Sequence, residues 1–462
     1  MFSDNESRLG KICLVIFDIF FIHLGYITAY WLLNSFVVPD HYIQAAPWIS
    51  AAVCLILYLF GFYIDWKRKS FQQMICTILI SLGIVAVLMI LTDLFYPVTF
   101  LSLQVVITAW FIHSIFFIGN RFIIWQVMRA IYGKKKLLII AENEKSGLSL
   151  ADKLFSHHKG WFIVSRLVLL SETNRLEGFL KEIDAILISP SVNEKRKREL
   201  VSFCVKNEKE VLIIPELFEV FIQASARQQV DDMLVLSIPS VKLSRTKRAV
   251  KRAFDLAGSI SLLLATSPVT IFLWIIIPLT SKGPALFKQE RLGINGKPYQ
   301  IYKFRSMVQD AEKDTGPVLA IENDPRITAI GRLIRATRLD ELPQLYNVLK
   351  GEMSLIGPRP ERKFFYDQFQ HELPEYTYRL TVKPGVTGLA QVMAKYTTSP
   401  EDKLRFDLMY IRHYSFGNDM KILLQTFRIL FQKEQAEGVG ETSHQKEKKL
   451  LQLLGHNQAA GQ

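Results

Sequence analysis

The run Leu256–Ser281, LAGSISLLLATSPVTIFLWIIIPLTS, decides the architecture of this chain. It contains no Asp, Glu, Lys or Arg, and it is long enough to span a hydrocarbon core, which takes about 20 apolar residues. Ser267-Pro268 interrupts it near its middle. Proline has no N–H to give the helical ladder and bends a helix, and a neighbouring Ser hydroxyl can satisfy the carbonyl so freed. Cations flank the run on both sides: Lys242, Arg245, Lys247, Arg248, Lys251 and Arg252 before it, and Lys282, Lys288 and Arg291 after it. The first group reads as a polybasic clamp on anionic lipid. A full crossing would put the following domain outside the cell, against this charge distribution. The pattern therefore predicts a re-entrant helix over 254–281 that enters one leaflet and returns at the break, with a simple fifth span as the alternative.

Upstream lie four apolar runs, about Ile12–Leu33, Trp48–Tyr63, Ile75–Tyr96 and Leu101–Trp125. They predict a four-helix transmembrane bundle over 1–130. Arg8 and Lys11, Lys67-Arg68-Lys69, and Arg121, Arg129 and Lys134-Lys135-Lys136 fall on one side, whereas the loops Val37–Pro47 and Tyr96–Thr99 carry no Lys or Arg. Both ends of the bundle are then cytoplasmic. The first run is too long, and lacks a small-residue cleavage site, to be a signal peptide. Asp18, His23, His113 and Asp93 lie within these runs and read as contacts between helices.

Residues 134–241 change texture. Leu137–Ile140, Trp161–Val164, Ala185–Ile188 and Val211–Ile214 are short apolar runs separated by polar, helix-compatible segments. That alternation predicts a Rossmann-like α/β domain with a parallel sheet. Its first turn, Ala141-Glu142-Asn143-Glu144-Lys145-Ser146-Gly147, has one glycine and two acids and makes a poor phosphate cradle. An assembly or regulatory role fits it better.

The composition agrees with a membrane protein that has soluble parts. The chain has 462 residues, half of them hydrophobic, with a mean hydropathy of +0.18 and a net charge of +13. A basic chain suits an anionic partner, and here the basic runs lie beside apolar segments without any nucleic-acid motif. Cys13, Cys54, Cys76 and Cys204 form neither a disulfide framework nor a zinc site.

Downstream, Thr337-Arg338-Leu339-Asp340-Glu341-Leu342-Pro343-Gln344-Leu345-Tyr346-Asn347-Val348-Leu349-Lys350-Gly351 places Leu342, Leu345, Tyr346 and Leu349 at helical spacing. Lys350-Gly351 is a stop signal. Asp340 and Glu341 stand at the start, where adjacent carboxylates can simply cap a helix. Arg332, Arg335 and Arg338 before the pair and Arg359 after it point instead to phosphoryl chemistry, because arginine suits forked recognition of phosphate. In Lys303-Phe304-Arg305 strand alternation would put both cations on one face, a phosphate- or uridine-side surface or else an ordinary half-buried strand. Met420–Phe431 has the spacing of an interfacial helix, and 434–462 reads as a flexible tail with a short Leu-rich helix near Lys448–Leu454.

From Lys251-Arg252-Ala253-Phe254-Asp255 to Tyr414 the chain resembles the bacterial polyprenyl-phosphate sugar-1-phosphate transferases, which initiate exopolysaccharide, capsule and O-antigen assembly. The matching motifs are Ser267-Pro268, Lys303-Phe304-Arg305-Ser306-Met307, Leu339-Asp340-Glu341-Leu342-Pro343-Gln344, Ser354-Leu355-Ile356-Gly357-Pro358-Arg359-Pro360 and Pro384-Gly385-Val386-Thr387-Gly388. Their occurrence in this order is specific. The resemblance is to the long form of the family and implies a homodimer in the bacterial inner membrane, with a monotopic catalytic domain over 242–433 on the cytoplasmic face. It also implies that Asp340 attacks the sugar-bearing phosphate of a UDP-sugar, giving an aspartyl-phosphosugar intermediate and releasing UMP before undecaprenyl phosphate accepts the sugar phosphate. Glu341 matches the Mg²⁺ ligand, and Arg335 and Arg359 match phosphate-binding arginines; Lys303 and Arg305 join them as substrate-side cations. Two departures stand out: Ala394 where a glycine is common, and Arg338 where a smaller polar residue is common. The alternatives are a glycosyltransferase releasing UDP and a non-catalytic scaffold for polysaccharide assembly.

Overall fold

The computed structural model describes residues 8–34, 38–63, 71–95, 102–132, 134–155, 162–223, 225–238, 243–311, 316, 324–394 and 398–430. Lys67–Lys69, the 96–99 loop, Lys242 and the 434–462 tail lie outside them. The chain forms two compact units, one ending at Ile214 and the next beginning at Pro215.

The first unit starts with α1 (Arg8–Asn34), α2 (Asp40–Leu59), α3 (Phe71–Phe95) and α4 (Leu103–Tyr132). Each is long and apolar enough to cross a membrane. Polar groups inside this bundle tie helices together. Asp18 of α1 accepts from Arg121 of α4 at 2.6 Å and from the Tyr63 hydroxyl at 2.9 Å. His113 Nε2 of α4 donates to the Ile22 carbonyl of α1 at 2.7 Å. His23 contacts Tyr42 and Ser50 of α2, each at 2.7 Å. Arg121 is thus a buried half of an ion pair and not the loop cation that the sequence count assumed. Two charges removed from water must find each other to stay ionised.

An all-parallel sheet follows, β1 (Lys135–Ala141), β2 (Phe162–Leu169), β3 (Ala185–Ile188) and β4 (Glu210–Ile213), in the order β2-β1-β3-β4. Between its strands lie α5 (Glu144–Phe155), the short α6 (Leu176–Phe179) and α7 (Glu194–Lys206). Buried residues Leu137, Ile139 and Ala141 face one layer, and Leu138 and Ile140 the other, so both sheet faces are covered. This is why the strands read as continuous apolar runs.

The second unit begins earlier than the boundary at 241/242 drawn from sequence. Its first helix α8 (Leu217–Gln223) buries Leu217 and Val220 against Leu292, Tyr366, Leu404 and Leu408, and Arg405 Nε donates to the Pro215 carbonyl at 2.7 Å. An antiparallel hairpin follows, β5 (Ala226–Val230) and β6 (Met233–Ser237).

Next comes α9 (Arg245–Thr280). The expected break is a proline inside one continuous helix. Pro268 forfeits a single bond, and the carbonyl it frees, Leu264 O, accepts from Ser267 Oγ at 2.8 Å, so the ladder resumes on both sides. Two of the cations assigned to lipid also point inward. Lys251 Nζ lies 2.8 Å from Asp419, and Arg252 donates to the Val348 and Leu349 carbonyls at 2.6 and 2.7 Å. The near end of α9 is fixed as well by Asp255, which accepts from Ser354 Oγ at 2.9 Å and Leu355 N at 3.0 Å. Its far end buries Leu273 and Ile277 against Phe304 and Ile334.

The catalytic-looking core then runs through β7 (Leu286–Leu292), β8 (Pro298–Phe304), α10 (Ala329–Ala336), α11 (Gln344–Lys350), β9 (Ser354–Ile356), α12 (Lys363–Glu372), β10 (Gly385–Thr387), α13 (Leu389–Met393), α14 (Pro400–Arg412) and α15 (Phe416–Leu430). β7 and β8 form an antiparallel pair, and β9 and β10 a parallel one. Gly357 N donates to Thr387 O and Gly385 N to Pro358 O, both at 2.9 Å. A Cβ built at Gly385 would overlap the Gly357 nitrogen, and one at Gly388 the Gly357 carbonyl. Two glycine motifs far apart in sequence exist because their backbones touch.

Candidate active site

The carboxylate pair does not cap a helix. Asp340 and Glu341 sit on a 3₁₀ turn, Leu339–Glu341, between α10 and α11, and neither accepts from a helix N–H among the described residues. Arg338, with φ +58, turns the chain between α10 and this turn. α11 then runs to Gly351, whose φ of +86 suits glycine. Arg252 satisfies the carbonyls at that end. The buried face of α11 differs from the expected one: Leu345, Asn347 and Val348 are inside, while Tyr346 is 52% exposed against Tyr302. The helix is shorter than its apolar spacing suggested, and its phase follows Asn347.

Asn347 is fully buried and pins α11 to β8. It accepts from Tyr302 N at 3.1 Å and donates to Gln300 O and Glu352 Oε2, both at 2.7 Å. Asn347→Leu should cost about 2–3 kcal/mol, because the Tyr302 N–H, the Gln300 carbonyl and the Glu352 carboxylate, all part-buried where they meet it, lose their partner. Chemical unfolding of the detergent-solubilised protein would show it; unchanged stability would mean that Asn347 does not hold the helix.

Glu341 is the electrostatic centre. Its Oε1 accepts from Lys303 Nζ at 3.0 Å and from Arg359 Nη2 at 2.8 Å. Lys303 comes from the end of β8, and Arg359 from the loop after β9. Arg359 is itself steadied from behind, since Arg379 donates to its carbonyl at 2.9 Å and is held by Asp407 at 2.7 Å. Burial raises Glu341, but Arg359, Lys303 and Arg338 together outweigh it and hold the group well below the ordinary carboxylate range. Asp340 moves the other way, raised first by burial and next by the charge of Glu341, against the pull of Lys303, Arg335 and Arg359. Adjacent acids are thus driven apart, one firmly ionised and the other more basic, as acid–base and nucleophilic sites require. Arg359 is raised, chiefly by Glu341.

The structure thus gathers Glu341, Lys303 and Arg359 by contact, with Asp340 beside Glu341 on the same turn; Arg335, at the end of α10, is among the cations whose charge opposes the rise of Asp340. Arg335 has no side-chain bond among the described residues. Arg305 is not part of the group. It donates to the carbonyls of Ser281 at 2.8 Å, Gly283 at 2.9 Å and Lys282, closing the exit of α9. β8 ends at Phe304, so the alternation that paired Lys303 with Arg305 does not continue. Ser267 and Pro268 remain on α9. Sequence reasoning missed Asn347, Arg379, Asp407 and the capping role of Arg252. A polar Asn within an apolar helix was a usable signal for the first; the pairing of Arg379 with Asp407 leaves no local trace.

No cluster of three His, Cys, Asp or Glu side chains occurs among the described residues. Mg²⁺ needs no such cage, since it typically takes one or two carboxylates together with waters and substrate phosphates. Both cations converge on Glu341 Oε1, and no described group bonds Oε2, so a hard oxygen donor remains and the dyad fits the ion.

The family described as "Bacterial sugar transferase" matches residues 246–433. The UDP-N-acetylgalactosamine-undecaprenyl-phosphate N-acetylgalactosaminephosphotransferase of Aeromonas hydrophila is 39% identical over 209 residues, 45% of this chain and 49% of that protein. The UDP-glucose:undecaprenyl-phosphate glucose-1-phosphate transferase of Klebsiella pneumoniae is 29% identical over 440 residues, 88% of this chain and 92% of that protein. A sugar transferase of Bacillus subtilis (strain 168), EpsL, named as uncharacterized, is 42% identical over 199 residues, 42% of this chain and 92% of that protein. The chain spans about half the length of several of the curated relatives it matches. The match to EpsL covers that protein almost end to end, and the family match over 246–433 takes in the dyad and the elements from α9 to α15, so the chain belongs to the bacterial sugar transferase family.

Proposed function

We propose that this protein transfers a hexose-1-phosphate from a UDP-sugar to undecaprenyl phosphate, releasing UMP and initiating the assembly of an exopolysaccharide, capsule or O-antigen. The observation that carries the proposal is the divergent pair: Asp340, buried, raised and without a side-chain bond among the described residues, beside Glu341 clamped by Lys303 and Arg359. A carboxylate in that state is a nucleophile waiting for an electrophile, and the surrounding cations suit phosphoryl oxygens.

In the first step an Asp340 oxygen forms a bond to the sugar-bearing phosphorus, and the bridging oxygen leaves with UMP. In the second, an oxygen of the lipid phosphate attacks the same phosphorus and the Asp340 carboxylate departs. One pyrophosphate replaces another, so the overall equilibrium lies near balance. Arg359 and Arg335 would neutralise the charge that builds on the phosphoryl oxygens, and Lys303 would orient Glu341. Mg²⁺ held by Glu341 would supply the further positive charge that lets an anionic carboxylate approach a pyrophosphate.

Both ends of α9 pack on the same catalytic unit, Asp255 on Ser354 and Ile277 near Phe304. In a continuous helix these two residues stand about 33 Å apart, and a unit lying on one side of the membrane can touch both only if the helix stays on that side. This packing supports a helix embedded from one side, in one leaflet of the bacterial inner membrane. Leu264, Trp274 and Leu279 are 70%, 53% and 75% exposed and would face lipid. The catalytic unit then sits on the cytoplasmic face with the UDP-sugar. The middle sheet reads as a Rossmann-like module for assembly, within a homodimer.

The test is nucleotide release by the purified protein with Mg²⁺ and undecaprenyl phosphate across a panel of UDP-sugars. Lipid-dependent UMP from one or a few donors is the expected result, and it also identifies the sugar. UDP in place of UMP would establish transfer of the sugar alone, and no release with any donor would leave a scaffold.

A further inference from the structure

Two buried side-chain amides stand three residues apart in α11, and their bonding is opposite. Asn347 is fully buried and makes three hydrogen bonds. Gln344 is 2% exposed and its side chain makes none among the described residues; its Nε2 is shut off from solvent without a partner. Leu342 and Leu345, on either side of it in the chain, belong to the apolar clusters of the catalytic unit. A buried donor without an acceptor costs stability that an apolar side chain of the same shape would not. Such a group calls for an explanation, and a ligand that completes its bonding is one.

The backbone places that amide against the dyad. Glu341 N donates to Arg338 O at 3.2 Å, Leu342 N to Leu339 O at 3.3 Å, and Leu345 N and Tyr346 N to Leu342 O and Pro343 O at 3.1 Å. Leu342 and Pro343 have helical dihedrals between them. The chain from Arg338 to Tyr346 is therefore a run of tight turns closed three residues apart. On such a run side chains three apart stand in line, and those four apart are neighbours, with about 5–6 Å between Cβ atoms. Gln344 is three residues from Glu341 and four from Asp340, and all three are buried. A phosphorus bonded to an Asp340 oxygen comes within reach of a glutamine side chain so placed. The terminal torsion of glutamine is soft, so its N–H₂ group can turn onto a phosphoryl oxygen. Lys303 and Arg359 already converge on Glu341, which leaves the phosphoryl group in need of a donor of its own.

We propose that Gln344 is a catalytic residue whose amide N–H₂ donates to a non-bridging oxygen of the phosphoryl group under transfer. The proposal rests on the transferase reading above and adds a neutral donor to it. Gln344 gives up no proton and forms no bond to phosphorus; it holds the oxygen on which negative charge builds in both steps. Its lack of any bond within the protein then has a use, because no partner has to be released when the substrate enters.

Stability and activity should move apart. Gln344→Met removes the amide with little change of shape, and Gln344→Glu replaces two N–H donors by a carboxylate. The full detergent-solubilised chain is compared in three measurements: melting temperature, UMP release with Mg²⁺, undecaprenyl phosphate and the UDP-sugar panel, and affinity for UDP by titration calorimetry. Gln344→Met should melt no lower than the native protein, release UMP about 10–100-fold more slowly and bind UDP about tenfold more weakly or worse. Gln344→Glu should be at least as slow, since it sets like charge against the phosphate. A Gln344→Met rate within threefold of native, a markedly lower melting temperature for that variant, or a Gln344→Glu faster than Gln344→Met would overturn the assignment. UDP binding that depends on Gln344 in a protein that turns over no UDP-sugar would uphold the contact and sink the transferase reading. Native turnover with an unaffected Gln344→Met would do the reverse, and a native protein that neither binds UDP nor turns over any UDP-sugar would sink both.

Discussion

Asp340→Asn is expected to lower UMP release by about 10⁴-fold or more, the scale on which loss of a covalent nucleophile is felt. The substitution is nearly isosteric, and Asp340 makes no described hydrogen bond that an amide would break, so folding should be preserved. What disappears is the carboxylate proposed to form the bond to phosphorus. The Glu341 cluster stays in place, because its partners are Lys303 and Arg359 and not Asp340. UDP-sugar should therefore still bind, and the melting temperature should change little. Release of UMP at more than a hundredth of the native rate from Asp340→Asn would show that Asp340 is not the nucleophile. A second check is direct: incubation of the native protein with labelled UDP-sugar, without lipid, should leave label on the protein, and the substituted protein should carry none.

Glu341→Gln is the second large effect, about 10²–10³-fold in rate, comparable with removal of a principal electrostatic contributor. Three consequences act together. Lys303 and Arg359 lose the oxygen on which they converge, so both are free to drift from the phosphate position. The negative charge that raises Asp340 is removed, and the nucleophile becomes a weaker base. The oxygen that fits Mg²⁺ is also lost, so the metal concentration giving half-maximal rate should rise. Glu341→Asp keeps the charge but shortens the reach and should recover part of the rate. Titration of activity against Mg²⁺ in both variants tests this. A Glu341→Gln rate within fivefold of native at every Mg²⁺ concentration would rule out the metal and clamp roles alike.

The sequence made much of this molecule legible. Four apolar runs of bilayer length became α1 to α4, and four short apolar runs became β1 to β4, because continuous hydrophobicity over a span or a doubly covered strand is itself the structural signal. The dyad and Arg359 were legible as motifs that lie within 20 residues of one another in the chain. Other expectations failed for identifiable reasons. Arg305 and Arg252 looked like ligands for phosphate and lipid, yet both serve carbonyl groups at helix ends, a use that leaves no mark in composition. Arg121 counted as a loop charge until Asp18, in another helix, proved to be its partner.

Charge, apolar run length and motif order are properties of residue types, and the chain alone determined what depends on them: a membrane protein, an α/β middle unit and an acidic dyad among arginines. Only the tertiary structure decided which cation serves which acceptor. It put Lys303 and Arg359 on one oxygen of Glu341, left Asp340 without a bond among the described residues, and set Arg379 behind Arg359. The reason is physical: an ionised side chain can be satisfied by water, a carbonyl or an opposite charge at similar energy, so its type is fixed locally while its partner is fixed by what packing brings within 3 Å.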